Sequence, residues 1–337
     1  MSVDKKSIYV VLGMARSGTS AITRGLKALG IHLGDEHSDS VNQWNPTGIW
    51  EDKDIVYQIN RGVAQALGDT WMSVHLLDEL CRDNEKLNEL HWQAVQLLTE
   101  RMKEVSSWAF KDPRTSRILP FWQNVFQGLK VDENYIIALR NPLAVATSWQ
   151  KVSGAEIEVG LLQWLNHLIP AIEGTQGKKR VVVSYDLMLA NPRLQLERIQ
   201  QQLFISSLAN AEDINNYAQQ YLDKKLHHYE YTEEDLLLHP AAAITPVCAN
   251  LYTLLMQVAK DEITLESAEF SSAWRQVKGE YSAAYPFYLY MNRLLKRNKE
   301  LERDLRTIRR SLSWKLAYPL RLINDVWRAG RKKSYGP

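Results

Sequence analysis

Cysteine is nearly absent from this chain: two occur in 337 residues, Cys81 and Cys248, far apart. That excludes a disulfide framework and a cysteine-based zinc ribbon, and it suits a reducing compartment. Glycine and proline are sparse as well, at 16 and 11 residues, which excludes a collagenous or low-complexity chain. No apolar run is long and clean enough to span a membrane. The amino-terminal run Ile8 to Leu12 is too short for a secretory signal and leads straight into a glycine-containing turn. Leu236 to Ala259 lacks Asp, Glu, Lys and Arg for 24 residues, but Pro240 and Pro246 interrupt it, with His239, Asn250 and Gln257 alongside. It reads as a buried loop and helix. A soluble globular protein of the cytoplasm is therefore expected.

What is present suffices for a core. Apolar residues make up 45% and charged residues 24%, and at about 150 residues per domain the length allows one large or two modest domains. The net charge of +2 hides an asymmetry: residues 293–337 hold 14 Lys and Arg against 4 Asp and Glu, while residues 1–292 are net acidic. An acidic body attracts no polyanion globally, so an anionic ligand needs a local, dedicated site. The basic excess lies on a helical tail without a stacking module, so no nucleic-acid partner is expected.

Alternating strand and helix signals fill the first two thirds. Ile8 to Leu12, Trp108 to Lys111, Tyr135 to Leu139 and Val181 to Ser184 read as buried strands. Helices are expected from Ser17 to Leu29, from about Asp52 to Leu67, and from about Asn84 to Val105, where Leu87, Leu90, Ala94, Leu97, Leu98 and Met102 keep the 3.6 period. This alternation means a parallel sheet covered by helices. The tryptophans at 71, 92, 108, 122, 149 and 164 sit mostly in apolar contexts and read as core.

From Pro192 to Tyr290 the pattern is mainly helical, with an aromatic cluster at Tyr281, Tyr285, Phe287, Tyr288 and Tyr290 expected to pack inside. Leu294, Leu301, Leu305, Ile308 and Leu312 follow at spacings of seven, four, three and four, the pattern of a short coiled coil or docking helix, so self-association through 294–312 is a candidate. Leu316, Leu320, Ile323 and Trp327, flanked by Lys315, Arg321, Arg328 and Arg331 to Lys333, form a basic amphipathic segment. It either contacts an anionic membrane surface through residues 311–333 or packs on its own domain. The expected division is a core at 1–205, a helical subdomain at 206–292 and a tail at 293–337.

The most informative segment is Gly13-Met14-Ala15-Arg16-Ser17-Gly18-Thr19-Ser20, between a strand and a helix. It follows the phosphate-loop pattern GxxxxGK[ST] except that Thr19 replaces the lysine. Backbone amides at such a turn still cradle an anion, but the cation that reaches the terminal phosphates of a nucleoside triphosphate is missing. Arg16 supplies a cation earlier in the turn. A second segment delivers Arg140 at the end of a strand, with Asn141 to cap, Pro142 for the first helical turn, and Ser148 on the helix. Arg140 and Ser148 offer donors to a separate phosphate. Two separated anion sites imply a ligand phosphorylated at both ends.

These paired motifs, with the strand that leads into Tyr185-Asp186-Leu187 before Asn191-Pro192, resemble the sulfotransferases that use 3′-phosphoadenosine 5′-phosphosulfate, over about residues 7 to 203. The resemblance implies a P-loop NTPase-like parallel sheet flanked by helices, here with a helical carboxyl-terminal extension. It implies that Arg16, Ser17, Gly18, Thr19 and Ser20 hold the 5′-phosphosulfate, that Arg140 and Ser148 hold the 3′-phosphate, and that Tyr185 lies near the adenine.

Asn45-Pro46-Thr47-Gly48-Ile49-Trp50-Glu51, and Trp108-Ala109-Phe110-Lys111-Asp112-Pro113-Arg114 running to Leu119-Pro120-Phe121-Trp122, resemble the bacterial, carbohydrate-directed branch. Transfer needs a base for the acceptor proton and cations for the sulfuryl oxygens. Glu51 is the candidate base, with Trp50 and Trp44 expected as an apolar wall beside it, or else it caps the helix that starts near Asp52. Lys111 stabilises the leaving phosphate or the sulfuryl oxygens, or else pairs with Asp112 or another acid. Cytosolic members of the wider family place a histidine shortly after this lysine, where Asp112-Pro113-Arg114 stands here; His32 and His37 are fallback bases.

The leading expectation is metal-independent, in-line transfer of a sulfuryl group from 3′-phosphoadenosine 5′-phosphosulfate to a hydroxyl or amine, on a sugar. The alternatives are a kinase with a degenerate phosphate loop and a non-enzymatic glycan-binding or scaffolding protein. Acceptor contacts are expected from residues 35–50, from 68–84 and from the helical carboxyl region. The segment Ser311 to Arg321 resembles carboxyl-terminal segments of bacterial glycosyltransferases that build surface polysaccharides. That implies a cytoplasmic protein recruited to the inner membrane face.

Overall fold

The structure, a computed structural model, describes residues 6–33, 48–69, 73–74, 85–205, 211–222 and 229–322. Its centre is a four-stranded sheet in the order β2-β1-β3-β4, with every pairing parallel. The strands are β1 (Ser7–Leu12), β2 (Ser107–Lys111), β3 (Asp132–Leu139) and β4 (Lys179–Ser184), and each apolar run expected from the sequence lies inside one of them.

Parallel neighbours need long crossovers, and helices supply them. Between β1 and β2 run α1 (Thr19–Ala28), a π-helical stretch Ile55–Asn60 that continues into α2 (Arg61–Ala66), and α3 (Glu85–Arg101). α4 (Leu119–Leu129) joins β2 to β3, and α5 (Pro142–Ser153) with α6 (Ile157–Gly174) joins β3 to β4. α7 (Tyr185–Ala190) and α8 (Pro192–Gln202) follow. The remaining helices are α9 (Ala211–Asn216), α10 (Glu233–Leu238), α11 (Pro240–Ile244), α12 (Val247–Ala259), α13 (Ala268–Arg310) and α14 (Leu312–Leu316). The fold is thus the α/β sheet flanked by helices, with a helical carboxyl-terminal part.

Alternation along the strands builds two cores. Ile8, Val10, Trp108, Phe110 and Tyr135 pack with Leu90, Ala94 and Leu98 of α3 and with Trp122 and Phe126 of α4. Tyr9, Val11, Ile136, Ala138 and Val183 pack with Ile22 and Leu26 of α1 and with Leu196 and Ile199 of α8. Trp108, Trp122 and Trp164 are core residues as expected, whereas Trp92 is 64% exposed on α3.

Contacts group the chain into two units, Met1–Tyr288 and Leu289–Pro337. In the first, α12 packs on β4, and Tyr281 Oη on α13 donates to Asn166 Oδ1 of α6 at 2.7 Å. The expected aromatic cluster is split: Tyr281 and Tyr288 are buried, but Phe287 is exposed, and so is Tyr290 in the second unit. In that second unit Ser311 ends α13, and its Oγ accepts the Trp314 amide at 3.2 Å. Leu312 therefore starts a new helix and does not extend the expected seam. Ile323, Trp327, Arg328 and Arg331 to Lys333 lie outside the described residues. Among the described residues no helix is long and apolar enough to cross a membrane, and Leu236 to Ala259 falls into α10, α11 and the buried α12.

Candidate functional site

Parallel strands put their carboxyl ends on one edge, where α/β sheets bind ligands. Because β1 lies between β2 and β3, the turn after β1 is flanked by Lys111, the last residue of β2, and by Arg140, the first after β3.

The turn is shaped by left-handed backbone: φ is 132° at Gly13, 75° at Arg16 and 82° at Gly18. A Cβ at Gly13 would stand 2.9 Å from the Ala138 carbonyl oxygen, and one at Gly18 would stand 2.2 Å from Tyr185 Cδ2. Both glycines are required. Gly18 precedes α1 without any side-chain cap, so no side chain of its own takes the amides at the helix start, which Thr19 and Ser20 form. Ser17 is buried and its Oγ has no hydrogen-bond partner. The Gly13 amide donates to Ser116 Oγ at 2.8 Å, so the protein itself uses the first amide of the turn. Ser20 Oγ donates to the Ile49 carbonyl at 2.9 Å.

On the β3 side Asn141 Oδ1 accepts the Leu143 amide at 2.9 Å and caps α5, with Pro142 in the first turn, which turns Ser148 inward. Arg140 donates through Nη1 to the Arg16 carbonyl at 3.1 Å and through Nη2 to the Tyr229 carbonyl at 3.2 Å, while its Nε is buried and unbonded. Its guanidinium lies 4.9 Å from the ring centroid of Tyr185. Arg16 Nε donates to Ser148 Oγ at 2.9 Å. Arg16, expected with the glycine turn, thus reaches the Arg140 and Ser148 cluster with its side chain. Tyr185 packs between Gly18 and Arg140. Burial holds Arg140 below the ordinary guanidinium range, and burial together with the charge of Arg140 does the same to Arg16. An anion between them relieves both effects.

On the β2 side Lys111 Nζ is 2.8 Å from Glu51 Oε1 and 3.4 Å from Ser20 Oγ. The cap that Glu51 was a candidate for is made by Asp52, whose Oδ1 accepts the amides of Asp54 and Ile55 at 2.9 and 3.1 Å. Asp112 is occupied by Arg114 and by Asn60 Nδ2, so it does not compete for Lys111. The expected tryptophan wall is different: Trp50, at φ 57°, has Arg24 and Lys27 over its ring at 5.3 and 5.8 Å, and Trp44 lies outside the described residues. Among the fallback bases, His32 forms a backbone bridge with Trp108 near the amino end of β2, away from this edge, and His37 lies outside the described residues.

Glu51 opens onto a cavity of about 490 Å³, within the range of small-molecule sites. Met14 and Ala15 of the turn form one wall, Arg61 and Gln65 of α2 another, and Trp149 of α5 with Gln163 and His167 of α6 a third; Arg114 and Arg117 complete it. Arg117 is buried and pairs with Asp69 at 3.1 Å. Arg61 stacks over Tyr57 at 4.3 Å. His167 Nδ1 bonds the Gln163 carbonyl at 2.7 Å, and burial followed by the charge of Arg117 pushes its pKa down to about 3, so the ring is neutral at neutral pH. The lining ends at His167, so among the described residues the helical carboxyl region contributes none of it; residues 34–47, 70–72 and 75–84 lie outside the description. Arg61, Arg117, Trp149, Gln163 and His167 were not singled out as site residues from sequence, because they sit singly within helical or turn segments without a motif.

No protein-family model matches this chain, and no curated protein does. Among solved structures it is similar to a sulfotransferase domain from the Synechococcus PCC 7002 olefin synthase, with 16% identity, 84% of this chain and 98% of that one covered, and a TM-score of 0.41. It is also similar to a sulfotransferase domain from the curacin biosynthetic pathway, at 14% identity, 72% and 98% coverage and a TM-score of 0.38. A sulfotransferase from Mycobacterium tuberculosis H37Rv follows at 13% identity, 70% and 75% coverage and a TM-score of 0.37. Likenesses this distant carry no argument about activity. The weight rests on the residues.

Proposed function

We propose that this protein is a sulfotransferase of the bacterial carbohydrate-directed kind. It takes a sulfuryl group from 3′-phosphoadenosine 5′-phosphosulfate and passes it to a hydroxyl or amine of a saccharide bound beside Glu51. The observation that carries the reading is the pair of half-buried Arg16 and buried Arg140 beside a glycine turn that has Thr19 where a nucleotide-triphosphate site has lysine. The half-buried Arg16 and buried Arg140 guanidiniums, with the orphaned Ser17 Oγ and Arg140 Nε, fit a ligand with phosphates at both ends. Such a donor, when bound, supplies the sulfuryl group for in-line displacement. The amides that open α1 and Ser20 hold its sulfated end, and Arg140, Ser148 and Arg16 hold the other phosphate.

Glu51 is the base that takes the acceptor proton, and it faces the cavity from which an acceptor arrives. Lys111, between Ser20 and Glu51, neutralises charge that develops on the transferring and leaving oxygens. Trp149 offers a saccharide an aromatic face and Arg61 a donor. In this reading residues 1–205 are the transfer core, 206–292 a helical part packed on it and 293–337 a tail. The protein works in the cytoplasm on glycans for a surface polysaccharide. Exposed Leu316 and Leu320 beside Lys315 and Arg321 support peripheral attachment of residues 311–333 to the inner membrane face.

Calorimetric titration with 3′-phosphoadenosine 5′-phosphate, and in parallel with AMP, ADP and ATP with magnesium, tests the donor. Tight binding of the bisphosphate that is lost in Arg140→Ala, with weak binding of AMP, is the expected result. Preference for magnesium ATP overturns it in favour of a kinase, and binding of none of them in favour of a scaffold.

A further inference from the structure

Beyond Tyr290 one side of α13 repeats every seven residues. Met291, Asn298 and Leu305 occupy one set of positions, and Leu294, Leu301 and Ile308 the set three residues on. These are the a and d positions of a heptad. Leu294, Leu301, Leu305 and Ile308 are each 45 to 51% exposed, in a helix unbroken to Arg310. An apolar stripe of this kind calls for a cover.

The polar residues around the stripe identify the cover. Most cations of this stretch, Arg293, Lys296, Lys299, Arg303, Arg306 and Arg310, stand at outer positions of the heptad, whereas Arg297, Glu302, Asp304 and Arg309 stand directly beside the seam. We propose that the occupant is a second copy of this chain, in a parallel, in-register, two-stranded coiled coil over Met291 to Ile308. In that arrangement Arg297 of one copy meets Glu302 of the other and Asp304 meets Arg309, and twofold symmetry repeats both pairs. Asn298 meets Asn298, and the two side-chain amides bond each other. In an antiparallel pair each a residue faces a d residue, so Asn298 is pressed against leucine or isoleucine with its amide unsatisfied.

Leu305 with Ile308 alone leans toward larger bundles, and Asn298 at a central a position selects two strands. An anionic membrane is the poorer cover, because Glu302 and Asp304 rim the apolar face where snorkelling cations belong. Within one chain Arg297 reaches Glu300 at 3.5 Å with both side chains exposed, a weak pair that gives way readily.

Sedimentation equilibrium of the full-length protein is expected to show a monomer–dimer equilibrium. Leu301→Lys, at an exposed position that leaves the first unit folded, weakens the dimer by at least about tenfold. Glu302→Arg weakens it, and Arg297→Glu combined with Glu302→Arg restores it. Met291→Cys and Leu305→Cys, tested separately with oxidised glutathione and the unsubstituted chain as control, both cross-link like to like, since facing a positions lie within disulfide reach only in a parallel register. Any one of four results overturns the proposal: a monomer at every concentration, a trimer or tetramer, cross-linking at only one of the two cysteines, or a monomer that binds phosphatidylglycerol vesicles through this face and loses binding in Leu301→Lys.

Discussion

Lys111 and Glu51, 60 residues apart in the chain, meet at 2.8 Å with the lysine 2% and the glutamate 15% exposed. The pair compensates a buried ammonium and holds a carboxylate at the mouth of the cavity. Glu51→Gln preserves shape and removes the proposed base. Donor turnover against a panel of saccharides is expected to fall at least about 100-fold, with unchanged calorimetric affinity for 3′-phosphoadenosine 5′-phosphate. Lys111→Ala leaves the carboxylate without its cation and a void beside β1, and costs about 2–4 kcal/mol in urea unfolding.

How much of this was legible follows from the range of each interaction. The strands were readable because they are buried on both faces and so appear as unbroken apolar runs such as Tyr135 to Leu139. Asn141-Pro142 announced the start of α5, a local signal with a local cause. Glu51 and Lys111 were each singled out, but their pairing was not, since the π-helical stretch, α2 and α3 lie between them in the chain. Arg16 was assigned to the turn that contains it; its contact with Ser148 spans 132 positions and depends on the left-handed backbone at Arg16 itself. The cavity was the least legible part. Arg61 on α2 and His167 on α6 are single polar residues within helices, and only the tertiary placement of those two helices turns them to one space.

Gly18 cannot carry a side chain. Its backbone is left-handed, and the added carbon would stand 2.2 Å from the ring of Tyr185. Gly18→Ala is expected to destabilise the protein by about 2 kcal/mol or more and to abolish bisphosphate binding, because the turn must open to admit the methyl group. Removing the ring in Gly18→Ala combined with Tyr185→Ala recovers only part of the stability, since the strained φ remains. Urea midpoints of the two variants decide this, and full recovery would show that the clash alone matters.

Arg140 binds two carbonyls and leaves Nε unbonded, so in the proposed anion site its fork geometry matters as well as its charge. Arg140→Lys is expected to remain at least about tenfold weaker for the bisphosphate than the native protein, because an ammonium cannot reproduce the planar donors. Arg16→Gln relieves the like-charge contact, so the free protein unfolds at an equal or higher temperature while the ligand-induced rise in melting temperature shrinks. Equal shifts in Arg16→Gln and native protein would remove Arg16 from the anion site.

His167 makes stability depend on acid. Its imidazole is buried beside Arg117, with a pKa of about 3 against an ordinary 6.5. Between those values the unfolded chain binds a proton that the folded chain does not, so stability rises with pH there and is lost as pH falls from about 6.5 toward 3. The slope from this one group approaches about 1.4 kcal/mol per pH unit inside the window. His167→Gln removes the titrating ring, whereas carboxylates elsewhere affect both proteins alike. The difference in unfolding free energy between pH 7 and pH 5, from urea titrations, is therefore expected to be smaller in the variant by about 1–2 kcal/mol. An identical pH profile in both proteins would mean that the folded ring takes up its proton over the same range as the unfolded chain, so that burial and the charge of Arg117 do not depress its pKa.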